Sequence, residues 1–275
     1  MIAMLAFAAN SILARLAFST AAAEPLSYTG IRLAAGAVTL ALLLLLRREQ
    51  AWPPAGCWSA AAALAGYALF FSLAYVLLGA GTGALILFAS VQIGILAWAV
   101  HKGDRPGLLE WAGLVIAFCA LGYLVSPGLV APHPLGALMM VVAGLCWAGY
   151  TLIGRGSRSP VSDTGGNFLR TAPFAIVLIL AGLFTKPLDP LALGYAIASG
   201  ALASGIGYAV WYAVLPALSR VRAAIVQLTV PAIAATGGVL LIAEPLTLRL
   251  VIASLGILGG VAFALIAGER RRART

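Results

Sequence analysis

Residues 28–48 read Tyr28-Thr29-Gly30-Ile31-Arg32-Leu33-Ala34-Ala35-Gly36-Ala37-Val38-Thr39-Leu40-Ala41-Leu42-Leu43-Leu44-Leu45-Leu46-Arg47-Arg48. From 28 to 46 the run is apolar on all sides and holds one charge, Arg32; two arginines then end it. A helix that crosses a bilayer needs about 20 apolar residues, and Lys and Arg collect on the cytoplasmic side of such helices. The stretch therefore reads as a transmembrane helix. The strands of a membrane β-barrel would alternate apolar and polar residues at period two, and this run does not.

The same pattern recurs outward in both directions. Of the 275 residues, 63% are hydrophobic and 9% charged, and the mean hydropathy is +1.05. A soluble domain is about 25% charged. So few charges cannot make a water-soluble surface, which excludes a soluble enzyme, a nucleic-acid-binding domain and a disordered chain. Helices are predicted at 2–20, 28–46, 58–78, 83–101, 108–125, 134–153, 164–184, 190–212, 221–242 and 248–267. The expected fold is an all-α integral membrane protein of ten transmembrane helices.

Basic residues orient it. With the tail arginines Arg270, Arg271, Arg272 and Arg274 placed inside, the inner loops also take Arg47, Arg48, Lys102, Arg105, Arg155, Arg158, Arg220 and Arg222, and the outer side takes only Lys186 and Arg249. Both termini are expected in the cytoplasm, with the chain in the inner or plasma membrane. The first helix has no basic leader and is read as retained rather than as a signal peptide. Cys57, Cys119 and Cys146 are too scattered for a disulfide framework or a metal site.

The second half echoes the first. Ile12-Leu13-Ala14-Arg15 resembles Leu152-Ile153-Gly154-Arg155, and Thr29-Gly30-Ile31-Arg32 resembles Asn167-Phe168-Leu169-Arg170. Tyr67, Phe71 and Tyr75 fall opposite Ser204, Tyr208 and Tyr212, and Asp104 falls opposite Glu244. This divides the chain at 1–130 and 131–275. Five helices per copy is an odd number, so the second copy must enter the membrane from the other side. The result is two inverted-topology five-helix repeats, an arrangement that places a transport site at the repeat interface near the midplane.

The motifs resemble the EamA family of the drug/metabolite transporter superfamily. They are Trp147-Ala148-Gly149-Tyr150, Gly207-Tyr208-Ala209-Val210-Trp211-Tyr212, the run from Arg222-Ala223-Ala224 to Val230-Pro231, Ala243-Glu244-Pro245-Leu246-Thr247, Gly256 with Gly259-Gly260, and Glu24-Pro25-Leu26-Ser27 leading to Arg32. The chain departs from the family pattern at Asn10-Ser11, Val91-Gln92 and Lys102-Gly103-Asp104-Arg105. The resemblance implies a ten-helix carrier and a class that includes exporters of amino acids and related metabolites.

Arg32 is the leading site candidate. A membrane arginine costs about 2.5–3.5 kcal/mol on insertion scales, and its guanidinium can take a substrate carboxylate bidentately. The competing reading is snorkelling to the interface or a structural bond to Glu24. Tyr67, Phe71 and Tyr75, and Ser204, Tyr208, Trp211 and Tyr212, form aromatic stripes at helical spacing. They are read either as a shared cavity wall or as packing. Asn10, Ser11, Gln92, Trp147, Tyr150, Asn167 and Gln227 complete the candidate substrate site, with interhelical hydrogen bonding as the alternative role. Pro231 is the candidate gate, since it frees a carbonyl and permits a kink. Gly256/Gly260 and Gly113/Ala117 are spaced for close internal helix packing.

No acid falls near the centre of a predicted helix. The expected function is a secondary transporter that exports amino acids or related small metabolites by alternating access, without an obvious proton carrier. Alternatives are an exporter of organic cations or drugs, or a non-transporting membrane receptor. An intramembrane serine protease built on Ser204 lacks a histidine partner away from the helix ends. The expected partners are a small-molecule solute and the lipid bilayer, with no nucleic acid, no cofactor and no metal. The oligomeric state is expected to be a monomer or weak homodimer.

Overall fold

The computed structural model describes residues 1–47, 54–103, 106–126, 131–154, 157, 159–214 and 226–272. Among these no strand occurs. The helices are α1 (Ile2–Ser19), α2 (Pro25–Arg47), α3 (Trp58–Leu77), α4 (Ala80–His101), α5 (Leu108–Val125) and α6 (Pro134–Ile153). After them come α7 (Pro160–Arg170), α8 (Ala172–Thr185) and α9 (Pro190–Ala198). A π-helical segment (Ser199–Ile206), α10 (Gly207–Val214), α11 (Thr229–Ile242) and α12 (Leu248–Arg272) complete the order. Eight described helices are long and apolar enough to cross a membrane, and α7 with α8 makes a ninth. Their exposed faces carry residues such as Leu42, Leu45, Val115, Ile116, Leu180 and Leu240. The protein is a multi-pass membrane protein.

Three predicted helices take a different form. The helix expected over 164–184 begins at Pro160 and bends by 41° between α7 and α8. Pro173, in the first turn of α8, has no N–H to offer Leu169, so the ladder is interrupted there. The helix expected over 190–212 is one span, Pro190–Val214, with the π-helical segment at its centre. Of the helix expected over 221–242, residues 221–225 lie outside the described residues, and α11 starts at Thr229. Its 14 residues fall short of the roughly 20 a full crossing requires. Arg155, Asp104, Arg220 and Arg222 also lie outside the described residues.

The packing pairs are reciprocal. α1 lies on α11 and α6 lies on α4; α2 lies on the α9–α10 span and α3 on α7; α2 lies on α8, α4 on α11, and α5 on α12. At the α5–α12 seam the backbones touch. A Cβ on Gly113 would stand 2.5 Å from the Gly260 carbonyl oxygen, and one on Gly260 would stand 2.5 Å from that of Gly113. Small residues permit this approach where no water is present to drive association. The expectation of internal packing at these glycines holds.

Two polar clusters tie the ends of the bundle. The last turns of α1, the α3–α4 turn and the α11–α12 loop meet at what we call the distal end. There Arg15 Nε donates to Glu244 Oε1 at 2.9 Å, Arg15 Nη1 donates to the Tyr75 carbonyl at 2.9 Å, and the Ala80 N–H donates to Glu244 Oε2 at 2.7 Å. The Glu244 carboxylate thus holds an arginine and the N-terminus of α4 together, where the helix dipole favours an anion. At the proximal end the strap before α3 docks on α7. The Cys57 N–H donates to Asn167 Oδ1 at 2.9 Å, the Ala55 N–H to Ser162 Oγ at 3.1 Å, and Arg170 Nη1 to the Ala55 carbonyl at 3.1 Å.

Candidate functional site

The centre of the bundle is a web of aromatic rings around Trp147. Its ring lies 4.8 Å from Tyr67, 5.1 Å from Tyr208, 5.3 Å from Tyr150 and 6.4 Å from Phe7, centroid to centroid. Phe7 in turn meets Tyr208 at 5.5 Å and Trp211 at 6.0 Å, both edge-on. Rings from α1, α3, α6 and α10 converge because each helix turns one aromatic face inward and leaves its aliphatic residues outside. They wall a narrow cavity whose polar lining is Asn10, Ser11 and the Tyr67 and Tyr208 side chains, with Phe7, Phe71, Leu87, Phe88 and Trp147 as its apolar part.

Arg32 stands behind the Tyr67–Phe71 wall and is only 2% exposed. Its guanidinium carbon lies 4.6 Å from the Phe71 ring centroid and 5.3 Å from that of Tyr67. Arg32 Nη2 donates to Tyr67 Oη at 3.2 Å, and Nε reaches Ser204 Oγ at a long 3.4 Å. Nη1 has no hydrogen-bond partner. No described carboxylate pairs with Arg32: the ion pairs among the described residues are Arg15–Glu244 and Arg271–Glu110. Glu24 caps its own helix instead, its Oε2 accepting the Ser27 N–H at 2.6 Å. Arg32 therefore neither snorkels nor bonds Glu24. It is a buried guanidinium held by phenol, hydroxyl and ring faces, and no carboxylate among the described residues neutralises its charge.

The π-helical segment makes this geometry. Its wider turns present Ser199 and Ser204 to α1 and α2, and such segments recur at functional positions. Ser199 Oγ donates to Asn10 Oδ1. Gly200 lets α2 approach so closely that any Cβ there would strike the Arg32 carbonyl. One turn before Arg32, the Tyr28 hydroxyl is buried beside α9, and it too lacks a hydrogen-bond partner. Tyr28 also lines a second cavity with Glu24, Lys186 and Asp189, at the distal end.

The structure brings together Asn10, Ser11, Trp147 and Tyr208 on the cavity wall, with Arg32 and Trp211 directly behind it. The other candidates lie off the cavity lining. The Tyr75 hydroxyl donates to the Ala80 carbonyl at 3.3 Å, and its ring packs on Gly83. Asn167 holds the proximal strap through Cys57. Tyr150 and Tyr212 pair with each other toward that same end, alongside Thr164. Gln92 is buried on α4, outside the cavity lining, and Gln227 is half-buried at the helical turn before α11. Pro231 is buried in the first turn of α11. The carbonyl it leaves free is that of Gln227, so the helix break lies just ahead of the proline. Ser199 escapes a sequence reading because it is a single hydroxyl among small apolar residues, and Tyr28 because it stands between Ser27 and Thr29 near the start of its helix, where polar residues are ordinary. A signal does exist for Tyr28, which stands at i−4 from Arg32 on one helical face.

A lipid-facing bundle that encloses a polar, aromatic-walled cavity between helices of its two halves is the construction of a membrane carrier. The second half, residues 134–266, matches the EamA-like transporter family. Over 273 residues the chain is 49% identical to the uncharacterized protein PA1977 of Pseudomonas aeruginosa, covering 99% of this chain and 95% of that one. It is 29% identical to the uncharacterized transporter YwfM of Bacillus subtilis, covering 84% and 81%. A solved crystal structure shares the fold at a TM-score of 0.67 over 98% of both chains, with 19% identity. The chain belongs to the EamA-like transporter family. It is a membrane transporter and not an enzyme.

Proposed function

We propose that the protein exports amino acids or related small carboxylate metabolites by alternating access, with Arg32 as the carboxylate anchor. One observation carries the reading: Arg32 is buried among neutral groups with Nη1 unpartnered. A buried charge without a partner is strongly destabilising, and intramembrane charges mark substrate pathways. A carboxylate at Nη1 would supply both the missing bond and the missing charge. The ring faces of Trp147, Tyr208 and Phe7 and the Asn10 carbonyl oxygen suit the rest of an amino acid, its ammonium included. An organic cation would meet the same rings but would also meet the Arg32 charge.

The proposed carrier has ten crossings in two inverted repeats, 1–130 and 131–275, in the inner or plasma membrane with both termini inside. The reciprocal packing supports this. Most pairings of one half's helix with the other half have their mirror, α1 on α11 with α6 on α4 being one example. The alternation of ends supports it too. Every polar tie named above joins loops that ten crossings put on the same side, including Arg249 of α12 to the Tyr123 carbonyl at the end of α5. The Arg15–Glu244 cluster and the α7 strap then close opposite ends of the cavity, and the break before Pro231 serves as the hinge of α11.

The test is counterflow of radiolabelled amino acids and organic cations into proteoliposomes, with wild type, Arg32→Lys and Arg32→Ala at equal protein density. We expect uptake of a carboxylate solute that falls at least tenfold in both variants. Normal rates in both variants would overturn the anchor. Accumulation driven by an imposed pH gradient would overturn uncoupled transport.

A further inference from the structure

We infer that the empty, closed carrier holds a small inorganic anion, chloride in the cell, between Arg32 Nη1 and the Tyr28 hydroxyl; the inference rests on the proposed anchoring role of Arg32. Four observations converge. Tyr28 Oη and Arg32 Nη1 are the only buried side-chain polar atoms without a partner among the described residues. They belong to residues one turn apart on α2, and both residues are 2% exposed. Both atoms can donate, and two unpartnered buried donors one turn apart leave the position of an acceptor open. The guanidinium beside them meets no described carboxylate.

Burial supplies the discrimination. Neither donor lines the aromatic cavity, and that cavity itself leaves room for an occupant of about the size of a water molecule. A halide is small enough to sit between two such buried donors in this conformation, whereas an amino acid or larger metabolite is not. A carrier must pass through a closed state to return empty, and here it would do so with an uncompensated guanidinium inside the membrane. A small anion removes that cost. The solute carboxylate and the halide then compete for the same donors, so loading the solute expels the halide. Tyr28 also lines the distal cavity, which gives the displaced ion an exit past the hydroxyl that held it. Tyr28 thereby becomes a specificity residue of the anion site.

The experiment uses the full chain in lipid nanodiscs. Sodium chloride or sodium bromide is titrated against HEPES at constant ionic strength; HEPES is a sulfonate too bulky for the closed cavity. Ligand that binds only the folded state raises Tm in a saturable way. We expect saturable stabilisation by chloride and bromide, loss of the response in Arg32→Gln, and a roughly tenfold higher half-saturating chloride in Tyr28→Phe, about the worth of one hydrogen bond to a charged group. Should Arg32→Gln not fold, the Tyr28→Phe titration decides alone. A wild-type Tm that does not depend on halide overturns the inference, and so does a half-saturating chloride unchanged in Tyr28→Phe. Solute binding that needs Arg32 but ignores halide would sink the halide site and leave the transport reading standing. Halide binding without any carboxylate solute would do the reverse.

Discussion

Replacing Glu244 by Gln should open the distal end of the cavity. The carboxylate accepts one bond from Arg15 Nε at 2.9 Å and one from the Ala80 N–H at 2.7 Å. Both groups of the ion pair are largely shielded, with side-chain exposures of 18% and 15%. Glutamine keeps the length and one acceptor oxygen but loses the charge. Hydrogen bonds to charged groups contribute about 1.5–3 kcal/mol against about 0.5–1.5 kcal/mol for neutral ones. The amide nitrogen cannot accept, so one of the two bonds is lost and the other becomes a weaker one; the tie loses at least about 2 kcal/mol, roughly 30-fold in population. Arg15 and Glu244 link α1 to the α11–α12 loop, so that weakening falls on the distal closure. The assay places a cysteine at Ser11, on the cavity wall, in a background without Cys57, Cys119 and Cys146. Labelling by a membrane-impermeant maleimide from outside should accelerate 10- to 30-fold in Glu244→Gln. Arg15→Gln should do the same, and the double variant should add little, since both remove one interaction. Labelling within twofold of the parent in both single variants would refute the distal closure.

Other perturbations test the framework. Gly113→Val puts a branched side chain where a Cβ already stands 2.5 Å from the Gly260 carbonyl; overpacking costs about 1–3 kcal/mol, visible as a Tm several degrees lower in detergent. Asn167→Ala removes the acceptor of the Cys57 N–H; loss of about 1 kcal/mol should speed maleimide labelling of Cys57 about fivefold in a background lacking Cys119 and Cys146. The Ser59 hydroxyl and the Ala60 backbone hold the Cys57 thiol below its ordinary pKa. A lowered pKa keeps thiolate present at lower pH, so Ser59→Ala should move the midpoint of the labelling–pH profile upward, and an unmoved midpoint would exclude that hydrogen bond as the cause.

Much of the architecture is legible because a bilayer admits few solutions. Residues 28–46 had to be a helix, since lipid satisfies no backbone group, and the observed α2 differs only at its ends, running from Pro25 to Arg47. The small-residue spacing at Gly113 and Gly260 pointed to close packing, and the two do touch. The bend at Thr171 and the π-helical segment were not legible. Hydropathy averages over a window and is blind to one proline in a first turn or one added residue per turn.

The site divides along the same line. The sequence by itself established a membrane transporter and singled out Arg32, because a charge inside an apolar run is costly whatever surrounds it. Asn10, Ser11, Trp147 and Tyr208 also proved to share one cavity. Tertiary structure alone decided that Asn167 holds a strap, that Tyr75 seals a turn, and that Glu244 ties Arg15 to the N-terminus of α4. It alone showed that Tyr28 and Arg32, one turn apart on α2, each keep a buried donor without a hydrogen-bond partner. The physical reason is that hydrophobicity depends on composition and can be read locally. A hydrogen bond made or left open depends on which groups the other half of the chain brings within about 3 Å.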